Sequence, residues 1–119
     1  MADESSLSVQ ENEGVTVVGF REAAILDVVT IQRIGKELYA LVETGGKKRI
    51  VLDFGDVRFL SSQALGVLLN LRRKADKAGA KVALARIRAE LARVFKLTNL
   101  DKLFEFFDDT GKAVEKLKA

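Results

Sequence analysis

Short runs of β-forming residues alternate with helical periods along nearly the whole chain, and that alternation restricts the fold to a layered α/β architecture. Val15-Thr16-Val17-Val18-Gly19-Phe20 is rich in β-branched residues and continuous, the pattern of a strand covered on much of both faces. Ala24-Ile25-Leu26 predicts a second short strand, close enough in sequence to pair antiparallel with the first. Ile31, Ile34, Leu38 and Leu41 then recur at spacings of three, four and three, an amphipathic helix that ends near Gly45-Gly46. Arg49-Ile50-Val51-Leu52-Asp53-Phe54 is the expected central strand, closed by Gly55-Asp56. Further on, Lys81-Val82-Ala83-Leu84-Ala85 predicts a strand, and residues 90–97 a short helix with Leu91, Val94 and Phe95 inward. Leu103-Phe104-Glu105-Phe106-Phe107 predicts the last strand, before a helix through Ala113, Val114 and Leu117.

A length of 119 residues holds one such domain. With no cysteine and no histidine, the chain lacks disulfides, thiolate metal sites, the commonest metal ligand and the usual general base near neutral pH. No metal, no cofactor and no catalytic residue is therefore expected. The apolar stretches are short, as in Leu65-Gly66-Val67-Leu68-Leu69, whereas a membrane span needs about 18 residues or more, so no span is expected. The acidic, polar start does not resemble a secretory leader, and the expected location is cytoplasmic. Residues 1–13, with Asp3, Glu4, Glu11, Glu13 and several serines, read as a flexible acidic tail, and residues 14–119 as the folded domain. Without those four acids, thirteen acidic residues face twenty basic ones, so the domain carries a formal +7.

The segment after the central strand is the most informative. Phe59-Leu60 runs directly into Ser61-Ser62, and a helical pattern continues through Ala64, Leu65, Leu68, Leu71, Ala75 and Ala78 until Gly79 stops it. Either serine suits the N-cap, its hydroxyl accepting from a free amide of the first turn. Opposite the apolar stripe lie Gln63, Gly66, Asn70, Arg73 and Lys77, one exposed face. Leu65 and Leu69 border the two faces, as core residues or as anchors for a partner. Gly66 is either a close-packing point within the fold or a shallow spot open to a partner backbone.

The order of elements, and above all Val51-Leu52-Asp53-Phe54-Gly55-Asp56-Val57-Arg58-Phe59-Leu60-Ser61-Ser62-Gln63-Ala64-Leu65-Gly66-Val67-Leu68-Leu69, resembles a STAS domain of the anti-sigma factor antagonist family. Gly79-Ala80-Lys81-Val82-Ala83-Leu84 and residues 94–104 support the resemblance, which covers residues 14–119. It implies a central mixed, mostly parallel sheet with four main helices. It also implies a cytoplasmic, non-enzymatic module that docks an anti-sigma factor that is also a serine kinase, with a serine phosphatase as a further partner. In that family the loop after the central strand reads Asp-Ser-Ser/Thr-Gly, and the serine after the aspartate is phosphorylated. Here Ser61, Ser62, Gln63 and Ala64 occupy those positions, so Ser62 falls on the phosphoacceptor, with Ser61 the second choice. The implied docking surface is Ser61, Ser62, Gln63, Leu65, Gly66, Leu69, Asn70 and Arg73. Asp27 and Asp53 are expected near this loop, in loop hydrogen bonding rather than catalysis.

Three rival functions compete with this reading. An enzyme fits poorly, because a serine nucleophile needs a nearby base and the chain has no histidine, and Thr44-Gly45-Gly46-Lys47-Lys48 lacks the spacing of a phosphate loop. A non-phosphorylated STAS scaffold, or a subunit of a signalling or lipid-transport assembly, is the alternative to the switch. Nucleic-acid binding through Arg72, Arg73, Lys74 and Lys77 ranks last, because aromatic residues for base stacking are scarce outside the strands.

Overall fold

Three parallel crossovers in one direction determine the architecture. A computed structural model describes residues 6–118. In chain order its elements are β1 (Leu7–Asn12), β2 (Val15–Phe20), β3 (Ala24–Ile25), α1 (Val28–Glu43), β4 (Arg49–Asp53), β5 (Phe59–Leu60), α2 (Ser62–Ala78), β6 (Lys81–Ala85), α3 (Ala89–Leu97), a 3-10 turn (Leu100–Lys102), β7 (Glu105–Phe107) and α4 (Thr110–Lys118). The main sheet runs β1-β2-β4-β6-β7, with β2, β4, β6 and β7 parallel and β1 antiparallel at one edge. Because β2 to β4 to β6 to β7 never reverses direction, right-handed crossovers place α1, α2 and α3 on one face. That face carries the larger core, with Leu38, Ile50, Leu52, Leu71, Leu84 and Phe95 fully buried. The opposite face is covered by α4, where Val15, Val51, Ala83 and Ala85 meet Ala113, Val114 and Leu117. The central strands β4 and β6 are thus buried on both sides, which is why they read as continuous apolar runs.

Three sequence expectations are corrected here. Residues 7–12 are not a flexible tail but the edge strand β1, paired with β2 from Leu7↔Phe20 to Asn12↔Val15. Glu13 and Gly14 make the hairpin turn, both with positive φ (54° and 84°), a geometry for which glycine is suited. Leu7 enters the core, Thr16 Oγ1 donates to Glu11 Oε2 at 2.8 Å, and Lys47 pairs with Glu11 at 3.0 Å, so the hairpin is held by packing and charge together. The tail expectation for residues 1–5 lies outside the described residues. The second correction concerns β3, which pairs parallel with β5 in a separate two-stranded ladder instead of antiparallel with β2. The final strand is also shorter than expected: Leu103 closes the 3-10 turn, and its carbonyl accepts from the Arg72 guanidinium instead of joining the ladder.

Asp27 caps α1, its Oδ2 accepting from the Thr30 N–H at 2.9 Å, and that bond holds its carboxyl below the ordinary aspartate value. Hydrogen bonds from Lys47 and Thr16 lower the Glu11 carboxyl in the same way. Depressed carboxyl values stabilise the fold fully above the unfolded-state value, and the contribution is lost as pH falls through the folded values. With no histidine to titrate, the urea midpoint is expected to stay flat from neutral pH to about pH 5 and to decline below about pH 4. A step near pH 6.5, about where histidine titrates, would contradict this account.

Candidate functional site

The site is built where β4 gives way to α2. Beyond Asp53 the chain turns at Gly55-Asp56, with Phe54 and Val57 buried as pegs. The Arg58 and Phe59 amides both donate to the Ala23 carbonyl, at 2.7 and 3.1 Å, and the Ser61 amide donates to the Ile25 carbonyl at 3.1 Å. These bonds make the β3–β5 ladder a short brace that presents the first turn of α2 at the C-terminal end of the parallel sheet.

The two serines divide the work. Ser61 is the N-cap, extended at φ −85° and ψ 166°, and its Oγ accepts from the Ala64 N–H at 3.2 Å. Ser62 is the first helical residue, exposed, and its hydroxyl has no hydrogen-bond partner among the described residues. Ser61→Ala is accordingly expected to destabilise the domain by about 1 kcal/mol, and Ser62→Ala by less than about 0.5 kcal/mol, by urea denaturation. Equal losses for the two would refute the division.

Gln63, Gly66, Asn70, Arg73 and Lys77 share one exposed face, as their spacing requires. A Cβ placed on Gly66 meets nothing within 4 Å, so the glycine marks an open, shallow spot and not a packing contact. Gly66→Ala should therefore raise stability by about 0.8–1.0 kcal/mol, the helix-propensity difference alone. A loss on urea denaturation would mean that the spot is not open. Leu65, for which core and partner anchor were both open, is 6% exposed and packs in the core cluster. Leu69 is half-buried at the border.

The two carboxylates have structural partners. Asp27 caps α1 and stands two residues past Ile25, whose ladder partner Leu60 stands two residues before Ser62. Asp53 is held by Arg86, with Nε to Oδ1 at 2.8 Å and Nη2 to Oδ2 at 3.1 Å, and its Oδ1 also accepts from the Gly55 N–H. The same hydrogen bond raises the Arg86 guanidinium further above its ordinary value. Among the basic residues of α2, Arg72 pairs with Asp76, and Lys74 pairs with Glu43 while lying 5.0 Å from the centre of the Tyr39 ring. Arg73 and Lys77 stay on the exposed face. Among the described residues no group of three acidic side chains is placed to hold a metal ion, and no helix is long and apolar enough to cross a membrane.

The sequence that builds this arrangement matches a known family model, that of the STAS domain, over residues 6–113. The chain belongs to the STAS domain family. The STAS fold of an anti-sigma factor antagonist from Mycobacterium paratuberculosis superposes with a TM-score of 0.81 at 25% identity, each chain covered over 100% of its length. SpoIIAA in its unphosphorylated form gives 0.72 at 15% identity, over 95% of this chain and 98% of its own, a likeness of fold. In sequence, a Thermotoga maritima protein provisionally named an anti-sigma factor antagonist is 32% identical over 73 residues, which span 61% of this chain and 65% of that relative.

In this STAS domain, the exposed large apolar residues around the α2 entrance were missed by the sequence reading. Leu26, Val28, Val29 and Phe59 are 52%, 51%, 63% and 58% exposed. Val28 and Val29 carried a legible signal, since they precede the Ile31-Ile34-Leu38 stripe without belonging to it. Phe59 carried none, because a strand residue beside an apolar neighbour reads as core until its ladder partner is known.

Proposed function

We propose that this STAS domain is an anti-sigma factor antagonist that docks an anti-sigma factor acting also as a serine kinase, and that phosphorylation of Ser62 releases it. The observation that carries this reading is the exposed Ser62 hydroxyl, spared from capping by Ser61, at the start of a 17-residue helix beside exposed apolar side chains. A phosphate there adds a charge of about −1.5 to −2 at a helix N-terminus, which stabilises anions by about 0.3–1 kcal/mol, so the fold tolerates it. The same charge buried without a counter-ion against a partner is strongly unfavourable, and about 5.5 kcal/mol of differential binding moves a complex from almost fully bound to almost fully free. SpoIIAA, of the same fold, has been solved in unphosphorylated and phosphorylated forms. On this reading a serine phosphatase restores the binding form, the cycle runs in the cytoplasm, and the docking face comprises Ser61, Ser62, Gln63, Gly66, Leu69, Asn70 and Arg73, with Leu65 supporting it from beneath.

A second reading is favoured by the loop itself, where Ser61, Gln63 and Ala64 stand in place of the family's aspartate, second hydroxyl residue and glycine. On that reading the domain is a scaffold, or a subunit of a signalling or lipid-transport assembly, that is never phosphorylated. One experiment separates the two: affinity capture from the source lysate with and without ATP, with phosphate mapped on the bait by mass spectrometry. A serine-kinase partner that leaves as Ser62 becomes modified supports the switch. A partner indifferent to ATP, with both serines unmodified, removes it in favour of the scaffold.

A further inference from the structure

Beside the α2 entrance, β5 and the start of α3 enclose an open groove of about 350 Å³. Its walls are mainly apolar, from Leu26, Phe59, Leu91 and Val94, and two of these residues, Leu26 and Phe59, are more than half exposed. Two guanidiniums, Arg58 and Arg88, also line it. Neither forms an ion pair or donates a side-chain hydrogen bond among the described residues, whereas Arg72 and Arg86 do both. Arg88 is half-buried, and its Nε–H is shut off from solvent with no acceptor. A buried donor without a partner is unfavourable, and the residue that carries it lines the groove.

We infer that this groove seats a short acidic and apolar segment of the docking partner, a bulky apolar side chain lying between Leu26, Phe59 and Val94 and a neighbouring aspartate or glutamate taken by Arg88 and Arg58. This rests on the docking function proposed above and names its recognition chemistry. Planar guanidiniums match a carboxylate in two parallel hydrogen bonds, and the start of α3 adds the positive end of a nine-residue helix. Glu90 also lines the groove, and its negative charge favours a singly charged carboxylate over a dianionic phosphate. The groove lies close to Ser62, since Leu60 lines it and stands two residues before Ser62. A phosphate on Ser62 therefore repels the acidic segment as well as crowding it, which gives the switch a reason to act at this point.

The test selects a random dodecapeptide phage library on the intact chain and titrates the recovered peptides into 15N-labelled protein. Peptides with aspartate or glutamate next to leucine, isoleucine, phenylalanine or tryptophan should be enriched, and should shift the Arg88 Nε–H resonance. Arg88→Gln and Arg58→Gln should each weaken them at least tenfold, and Ser62→Asp severalfold. Arg88→Lys, which keeps the charge and loses the planar donors, should recover only part of the affinity, and thermal melts verify that each variant folds. No enrichment, enriched peptides without acids, or undiminished binding to Arg88→Gln overturns the inference. So does an Arg88 resonance that moves only with anionic phospholipid vesicles or nucleotides. Peptide binding needs neither kinase nor ATP, so a failed ATP-dependent release with intact peptide binding removes the switch alone, and the converse removes the groove alone.

Discussion

Phe95→Ala is expected to remove about 3–5 kcal/mol of stability, a large part of the roughly 5–15 kcal/mol that holds a domain of this size folded. Phe95 is 0% exposed and stands at the centre of an aromatic cluster. Its ring meets Phe54, Phe104 and Phe106 edge-on, at centroid separations of 6.4, 6.5 and 5.6 Å. Each such pair adds about 0.5–1.5 kcal/mol to the area buried, and the residue ties α3 to the β4 end and the β7 end of the sheet at once. Truncation leaves a cavity that three rings on separate elements cannot all close. The check is equilibrium unfolding in urea of the full chain. A loss below about 1 kcal/mol would mean that the cluster collapses freely, contrary to the packing described.

On the docking function proposed above, Ser62→Asp and Gly66→Arg are each expected to weaken binding of the anti-sigma partner at least 100-fold, about 2.8 kcal/mol, while leaving the urea midpoint within the range of a surface change. Aspartate at the first turn of α2 suits the helix, and its charge acts only when a partner excludes water from it. Gly66→Arg fills the open spot four residues on, one helical turn along the same side of α2, without touching the core. Lys112→Ala on α4, behind the opposite face of the sheet, serves as the control and should bind as the unmodified chain does. Titration calorimetry against the purified partner gives the answer. Unchanged affinity in Gly66→Arg would place the interface off the α2 face altogether.

Local features were read correctly where the physics is local. The spacing of Ile31, Ile34 and Leu38 built α1, and Gly79, left-handed at φ 73°, ended α2 where its missing side chain allows that conformation. Gln63, Gly66, Asn70 and Arg73 emerged on one exposed face because three- and four-residue spacings fall on one side of any α-helix. Where two local solutions competed, the sequence left a choice open. Either serine could cap α2, and it took the Ser61 amide bonding to Ile25 to place Ser61 at the cap and leave Ser62 exposed. Leu65 and Leu69 looked equivalent at the border of the stripe, and tertiary packing buried the first and left the second half covered.

The sequence by itself thus determined the α/β class, the helical stretches, the stop of α2 at Gly79, the apolar central strand and the absence of histidine and cysteine chemistry, since periodicity and composition need no distant partner. Tertiary structure alone decided which strands pair. It turned residues 7–12 into a sheet edge and sent β3 to β5, because ladder partners are chosen by competition among segments far apart in the chain. It also decided what remains uncovered: Leu26 and Phe59 are as apolar as any core residue, and they reach solvent at the β3–β5 ladder and its flank, which lie outside the main sheet.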